Sequence, residues 1–464
     1  MNAVWPLRGE FWHEKSTDAK VNGAVSRASG LNGEAVLTVD GNLLPPKRRV
    51  RNDSNGEYWE LLSESADEMV ENFSPFVGFG LTDDGVKATL LNCRLSRSMV
   101  GPSGRKQCIT AQTILVGAHV SGHDQLYSAI RFEVDEAWRW EHLGTSPLRQ
   151  TLSDGAYLAF EHGAKSAEFT YVSASRRTLR DLESGIVNAV ATLAELCIGD
   201  RVTGVSYAVQ IDGESEWLPV LFEYDRLQPD KRHRRPLIPF NELTLQTVGR
   251  WLDVATRLDN LADAVAQGPT GVVEIQVIST CAIAEGVHSR LYGDGDLSEV
   301  IGKVQRKLIR SAAYDAGMRQ FDTLNIPKYR DRVADSLRTS LGALSRKAFA
   351  TRISELGAAA VGTVPEVLED FDAQRLATFK NWSHLVTSSR NSMAHQSREP
   401  LGAGPASDKY DYLLAAVMSL DWVLRIELLG RAGVRPSAIR SALLADNRFE
   451  MYRANVRAIL EHRV

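Results

Sequence analysis

The sequence predicts an α+β protein with an N-terminal β-rich domain, a sandwich or an open barrel, followed by a C-terminal all-helical bundle. Up to about residue 175, short runs of β-branched and aromatic residues alternate with Gly, Asp and Asn. From about Leu243 onward, apolar residues recur at helical spacing. The length of 464 residues also exceeds what one core organises well, so more than one domain is expected.

The N-terminal strands are predicted from runs bounded by turn residues, and we assign residues 1–175 to a β-rich N-terminal domain. Turn chemistry occurs at residues 40–42, 83–85 and 161–163. Many short strands with few helices are typical of a sandwich or an open barrel. The predicted strands are Gly33–Leu37, Phe76–Phe79, Val86–Cys93, Ile109–Val116, Tyr127–Val134, Ala156–Glu161 and Glu168–Val172.

A mixed α/β segment, residues 176–268, is predicted to connect the two domains. An apolar stripe predicts a helix from about Thr178 to Cys197, and strands return at Val202–Gln210 and Trp217–Phe222. The basic loop Lys231–Pro236 could contact nucleic acid, although such loops are more often solvated connectors.

Residues 269–464 are predicted to form the helical domain. We expect helices near 271–292, 328–349, 366–396, 408–430 and 436–460, with another after Gly293 capped by Asp296 or Ser298. An amphipathic stripe near the C-terminus must bury against this bundle or against a second chain. It comprises Leu413, Leu414, Val417, Leu420 and Leu424.

Composition indicates a cytoplasmic protein without a membrane span, metal or cofactor. The four cysteines lie far apart, which favours reduced thiols, and the N-terminus has no pattern of a signal peptide. No apolar run approaches the length of a transmembrane helix. His119, His123 and Asp124 lack a fourth metal ligand, and no phosphate-binding glycine loop is present.

The formal charge of −4 conceals an asymmetry along the chain. Residues 301–464 contain 25 Lys and Arg against 17 Asp and Glu, whereas residues 1–300 contain 29 against 41. A positive C-terminal third attached to an acidic body fits a polyanion bound at one end. The alternative is that this excess is a solvated surface of exposed arginines.

The segment Arg390-Asn391-Ser392-Met393-Ala394-His395 is the leading candidate site. Four arginine–histidine pairs in the chain have comparable spacing, and only this one has Asn directly after Arg. The residue types suit RNA cleavage by 2′-hydroxyl attack on the adjacent phosphate, which needs no metal. His395 could transfer a proton, Arg390 could hold the phosphate, and Asn391 could orient either group. The alternative is a solvated arginine and a hydrogen-bonded histidine.

Helical geometry restricts how this site is built. At about 100° per residue, Asn391 and His395 share a face, whereas Arg390 and His395 lie about 140° apart. Either Arg390 occupies an irregular first turn, or a second chain contributes its own copy. The second arrangement is a composite site in a homodimer.

This motif, late in a helical domain, resembles the R-x4–6-H motif of HEPN-domain ribonucleases, and the segment Ala284–Leu291 resembles their first long helix. The N-terminal half resembles ApeA-type anti-phage proteins in the order of Gly9–Trp12, Val86–Leu90, Ile114–His119 and Ala137–Trp140.

The resemblance implies a dimeric, metal-independent endoribonuclease of abortive anti-phage defence, with tRNA as one candidate substrate. Because an unrestrained ribonuclease would poison its host, we hypothesise that residues 1–175 are a sensor or regulatory domain that brakes or triggers it, in response to an unknown phage-derived trigger. By this resemblance, we expect catalytic roles for Arg390, Asn391 and His395 only. Glu285 and His288, one turn apart, are weaker candidates that could line the same cleft or form an ion-pair or packing pair. The rival hypothesis is a non-catalytic protein that binds RNA or a partner and senses a ligand through its β-domain.

Overall fold

The computed structural model describes residues 6–27, 35–44, 48–53, 56–61, 74–101, 104–134, 149–162, 167–202, 206–222, 236–293, 301–342, 347–372, 376, 379–394 and 406–461. The described strands precede most of the described helices, which confirms the predicted α+β layout. The strands are β1 (Leu7–His13), β2 (Val21–Arg27), β3 (Ala35–Asp40), β4 (Arg48–Asp53), β5 (Gly56–Leu61), β6 (Phe76–Thr82), β7 (Lys87–Gly101), β8 (Gly104–Ala111), β9 (Thr113–Val116), β10 (Leu126–Glu133), β11 (Arg149–Thr151), β12 (Tyr157–His162), β13 (Ala167–Thr178), β14 (Ser206–Ile211) and β15 (Trp217–Phe222).

Six of these strands close into a barrel. The order β7-β6-β1-β2-β3-β8 returns to β7 because β8 also pairs with β7. Strand β7 makes this possible by changing partners: residues 88–91 pair with β9, and residues 94–101 pair with β8. A register shift between Leu95 and Arg97 marks the bend. Of the two predicted architectures, the barrel is therefore present, and it is closed.

The barrel interior is filled by alternate residues of its strands, as a half-buried strand pattern predicts. Phe11, Val25, Leu37, Leu90 and Ile109 are at most 1% exposed and belong to one core cluster. Gly80 faces this core at a position where a Cβ atom would lie 2.6 Å from the ring of Phe11.

The remaining strands of the main sheet extend it beyond the barrel in the order β9-β15-β14-β10-β13-β12-β11, all antiparallel. The predicted strand Ile109–Val116 divides at Gln112 into β8 and β9. Strands β4 and β5 form a separate hairpin.

The helix predicted to start at Thr178 does so. Thr178 accepts a hydrogen bond from the Asp181 backbone N–H, and the Asp181 side chain accepts from the Thr178 backbone N–H, which is a capping box. The helical run comprises α1 (Leu179–Leu182), a π-helical turn (Glu183–Val187) and α2 (Asn188–Ile198).

The later helices are α3 (Leu245–Leu258), α4 (Leu261–Gln267), α5 (Val273–Tyr292), α6 (Lys303–Asp322), α7 (Arg330–Gly342), α8 (Phe349–Thr363), α9 (Trp382–Ala394), α10 (Ala406–Ala432), α11 (Pro436–Leu444) and α12 (Asn447–Glu461). Helix α10 is central and packs against α5, α8 and α9. In the predicted stripe of α10, four residues are buried against this bundle and Leu414 is 39% exposed.

Several predicted helix boundaries were wrong. Gly293, with φ of 72°, ends α5 as expected, but α6 begins only at Lys303 after Gly302, and the proposed caps Asp296 and Ser298 lie outside the described residues. Helix α8 occupies a segment that was assigned to no helix, and the helix expected over 366–396 begins at Trp382.

Two further helix boundaries differ from the prediction. The helix expected over 328–349 ends at Gly342. The helix expected over 436–460 is divided near Asp446, whose carboxylate accepts a hydrogen bond from the Arg448 backbone N–H.

The chain divides into two compact units: residues 1–191, 201–234 and 243–249, and residues 192–200, 235–242 and 250–464. The predicted connecting segment, 176–268, contributes to both units. Within the second unit, Arg425 of α10 donates hydrogen bonds to the Leu196 and Ala266 carbonyls, and Arg448 donates to the Ile198 carbonyl. The helical unit therefore uses residues that precede position 269. Among the described helices, none combines the length and apolar character of a membrane span.

Candidate active site

Arg390 lies two turns into α9. The helix begins after Asn381, whose side chain accepts hydrogen bonds from the Ser383 hydroxyl and the His384 backbone N–H. Trp382, Leu385, Val386 and Ser389 are buried, and their spacing fixes the inward face. Arg390 therefore does not occupy an irregular first turn. The motif lies toward the C-terminal end of α9, where the helix dipole gives an incoming phosphate no support.

The Arg390 guanidinium is held between two other helices. Its Nη2 donates to Glu285 Oε2 of α5 at 3.3 Å, and its Cζ lies 4.6 Å from the centre of the Phe349 ring of α8. The side chains of Arg390 and Glu285 remain 37% and 41% exposed. Among the described residues, Glu285 is the one hydrogen-bond acceptor that contacts Arg390, which leaves the other N–H donors of the guanidinium without a described partner.

The rest of the motif is only partly described. Asn391 is exposed, because a one-residue step of about 100° turns it away from the buried face. Ala394 is the last described residue of the helix, and His395 lies outside the described residues. The structure therefore places Arg390 and Asn391 on adjacent faces of one helix end and gives no position for the histidine.

Cys281 lies one turn before Glu285 on α5 and is buried. Burial raises the pKa of its thiol to about 12, with Arg390 opposing and Glu285 reinforcing the shift. The thiol is therefore protonated near neutral pH, and Cys281 is not a nucleophile there.

His288, one turn after Glu285, faces a different partner. Its side chain is fully buried, and its Nε2 lies 2.7 Å from Glu355 Oε2 of α8. Lys347 Nζ reaches the two oxygens of the same carboxylate at 2.9 and 2.8 Å. The hydrogen bond from Lys347, and then that from His288, lowers the pKa of Glu355, so this carboxyl group is ionised.

The protonation of His288 follows from these contacts. Burial lowers its pKa, and the hydrogen bond to Glu355 only partly offsets that effect. A neutral imidazole facing a carboxylate must carry its proton on Nε2, because the carboxylate only accepts. Within the part of the chain that the structure describes, its Nδ1 is buried without a hydrogen-bond partner. His288 is thus a neutral, enclosed donor and is not placed to reach an RNA substrate.

The buried polar chain continues along α5. His288 stacks on Tyr292 with ring centres 4.8 Å apart, and the Tyr292 hydroxyl donates to Glu427 Oε1 of α10 at 2.7 Å. Arg431 donates to the same oxygen at 2.8 Å and lies over the Tyr292 ring. This network ties α5 to α8 and α10 and fixes the helix that presents Glu285.

The structure thus pairs Arg390 with Glu285 and pairs His288 with Glu355. Glu285 and His288 do not pair with each other; each contacts a different helix. Sequence analysis did not identify Phe349, Lys347 or Glu355 as site residues, because their contacts with Arg390 and His288 join parts of the chain that are distant in sequence.

Of the two histidines considered for a metal site, His123 is exposed and His119 has a packing role. His119 Nε2 lies 2.9 Å from the Gly80 carbonyl oxygen, and its ring packs edge-on to Trp12. Within the described residues, no group of three or more His, Cys, Asp or Glu side chains is arranged to hold a metal ion. The basic loop 231–235 lies outside the described residues.

Comparison with known families identifies one region of the chain. Residues 50–163, roughly a quarter of the sequence, match the family model described as ApeA N-terminal domain 1. Of the segments that suggested this resemblance, 86–90 and 114–119 lie within the match, as does 137–140, which is outside the described residues. No curated protein and no solved structure matches the chain. The N-terminal match supports an ApeA-type protein.

Proposed function

We propose that this protein is a metal-independent endoribonuclease of anti-phage defence. The N-terminal match to an ApeA domain suggests a defence protein. The observation that carries the nuclease proposal is the placement of Arg390, whose guanidinium is oriented by Phe349 and Glu285 and keeps free donors at the surface. An oriented, half-exposed arginine is suited to hold a phosphate.

The proposed reaction is an intramolecular displacement at phosphorus. The 2′-oxygen forms a bond to the adjacent phosphorus while the bond from phosphorus to the 5′-oxygen breaks. One proton leaves the 2′-hydroxyl and one reaches the departing 5′-oxygen. His395 performs one of these transfers, Arg390 stabilises charge on the non-bridging oxygens, and Asn391 orients the phosphate or the imidazole.

The Glu285 contact is compatible with this role because it is weak. Ion pairs with this much exposure stabilise proteins by about 0–1 kcal/mol. A phosphate carries charge like that of the carboxylate and can replace it as the partner of Arg390. Glu285 then holds the guanidinium in position until RNA binds.

The geometry of α9 favours a site completed by a second chain. Arg390 faces α5, whereas Asn391 faces solvent. A homodimer that places two such helix ends together would supply a histidine from one chain and an arginine from the other. The test mixes an Arg390→Ala chain with a His395→Ala chain: recovered cleavage requires shared sites, and proven heterodimers without cleavage contradict them.

The direct test of the nuclease proposal uses purified full-length protein with total cellular RNA and an all-2′-deoxy oligonucleotide, in EDTA. His395→Ala is the inactive variant, and His384→Ala is its control, because His384 is an exposed histidine of the same helix. We expect cleavage of RNA alone, retained by the control and lost in His395→Ala. Addition of phage-infected cell extract tests whether the enzyme needs a trigger. RNA binding without cleavage in both conditions would favour the rival binding protein.

A further inference from the structure

Helices α6 and α7 form a hairpin that packs mainly on itself. Arg310 of α6 donates to the Gly342 carbonyl at the end of α7, and Tyr314 contacts Arg338, so the two helices run antiparallel. Of the described side chains in this hairpin, Met318 and Ala334 alone are buried. Two buried side chains form little hydrophobic core, so core packing does not explain the length of the hairpin.

The hairpin holds most of the net positive charge of the C-terminal third. Residues 301–342 contain nine Lys and Arg against four Asp and Glu, whereas the much longer stretch 343–464 contains 16 against 13. The asymmetry along the whole sequence is therefore concentrated in these two helices.

Within the hairpin, Arg330 pairs with Asp322 and Arg338 pairs with Asp335, but four other cations differ from those elsewhere in how they are used. Beyond the hairpin, Arg431, Arg435, Arg440, Arg448, Arg453 and Arg457 each pair with a carboxylate. Lys303, Lys307, Arg319 and Arg332 are exposed, and none has an ion-pair partner in the described part of the chain. Lys303 and Lys307, four apart on one helix, repel each other by roughly 0.2–0.5 kcal/mol. Their arrangement does not serve helix stability.

Exposed apolar side chains lie among these cations. Val304 is 70% exposed and Leu308 is 64% exposed, and Tyr329 at the tip is 47% exposed with Lys328 over its ring. A second copy of the chain docked symmetrically on this hairpin would bring two positive surfaces together. A polyanion that also carries flat, weakly polar bases fits both the exposed cations and the exposed apolar side chains. Its phosphates pair with the cations, and its bases stack on Tyr329.

We propose that the α6–α7 hairpin is the arm that docks RNA, a proposal that rests on the nuclease function above and specifies how its substrate is held. The contacts are to phosphates through Lys303, Lys307, Arg319 and Arg332. Such contacts fix position without reading sequence. The arm therefore supplies affinity, and the choice of the cleaved bond lies elsewhere.

The test measures RNA binding separately from cleavage. All proteins are full-length chains that carry His395→Ala. The arm variant replaces Lys303, Lys307, Arg319 and Arg332 with Gln, and circular dichroism checks its folding. The probe is a fluorescein-labelled, unstructured single-stranded RNA, titrated by anisotropy from about 50 to 200 mM KCl.

The control variant removes the same charge elsewhere. It carries Lys87→Gln, Arg94→Gln, Arg250→Gln and Lys380→Gln, all at exposed positions outside the hairpin.

Each lost phosphate contact should lower the slope of log affinity against log salt by about 0.7, or about 2.8 for four. Over this salt range the affinity of the parent should then fall about 50-fold more than that of the arm variant. The control should follow the parent.

Three results would overturn the proposal: a parent that does not bind RNA at the lowest salt, equal slopes for arm and control variants, or an unchanged slope with an altered oligomeric mass. The last would assign the hairpin to contacts between copies. If the slope of the arm variant falls as expected but the chain with His395 intact cleaves no RNA, with or without phage-infected cell extract, the nuclease proposal fails and the docking arm stands.

Discussion

Substituting Arg390 and Glu285 one at a time distinguishes a catalytic role of Arg390 from a structural role. Arg390→Gln and Glu285→Gln each remove the same 3.3 Å ion pair and leave a polar, uncharged side chain. If the pair only holds α5 to α9, the two variants should behave alike. If Arg390 is the phosphate clamp, they should differ in activity much more than in stability.

The stability terms are small. The exposed ion pair contributes about 0–1 kcal/mol, so Glu285→Gln should lower the free energy of unfolding by no more than that. Arg390→Gln also loses its contact with the Phe349 ring, which adds about 0.5–1 kcal/mol at an exposed site. Urea denaturation followed by circular dichroism measures both values.

The activity terms are large and unequal. Loss of one charge-stabilising donor typically lowers kcat by about 10²–10³-fold, which is the effect expected for Arg390→Gln. Glu285→Gln removes the charge that competes with phosphate for the guanidinium, while the amide oxygen can still accept the Arg390 hydrogen bond and keep it oriented, so kcat/KM should be unchanged or higher. The assay is the initial rate of cleavage of one RNA oligonucleotide under single-turnover conditions. Equal losses of rate in the two variants would refute the clamp role and assign Arg390 to packing.

Two other predictions concern the helices that carry the site. Gly357→Ala places a Cβ atom 2.6 Å from the ring of Trp382, so overpacking should destabilise the protein by about 1–3 kcal/mol. The higher helix propensity of alanine offsets up to about 1 kcal/mol of this loss. Gly362→Ala on the same helix meets no atom within 4 Å and should not destabilise it; equal thermal shifts would contradict this account. Burial lowers the pKa of His288, so stability should be fully present above a pH of about 6.5 and fall as the pH falls toward the folded-state pKa. His288→Gln keeps a hydrogen-bond donor for Glu355, so the free energy of unfolding of this variant should no longer depend on pH in this range. Urea titrations at several pH values measure it. The same pH dependence in the variant and the natural chain would show that the pKa of His288 does not change on folding.

The features predicted from sequence are those set by neighbouring residues. The helix start at Thr178 and the end at Gly293 depend on local capping and on glycine conformation, and both were predicted. Helix α8 was missed because Gly357, Gly362 and Thr363 weaken its helical signal. Barrel closure also escaped prediction, since it depends on the long-range pairing of β8 with both β3 and β7.

The candidate site shows the same limit. The spacing within α9 singled out Arg390 and Asn391, but the partner that orients Arg390 is 105 residues away in sequence. Glu285 was identified through resemblance and not through any local pattern. His288 was grouped with it because the two are one turn apart, yet burial directs His288 to Glu355.

The most direct test of 2′-hydroxyl chemistry compares two RNA oligonucleotides that differ by one oxygen. The first is all RNA, and the second has a single 2′-deoxy nucleotide immediately 5′ of the mapped cleavage site. In EDTA, we predict cleavage of the first alone, with one product ending in a 2′,3′-cyclic phosphate and the other beginning with a 5′-hydroxyl. Cleavage of the 2′-deoxy oligonucleotide at the same bond, or products with a 3′-hydroxyl and a 5′-phosphate, would contradict the proposed mechanism.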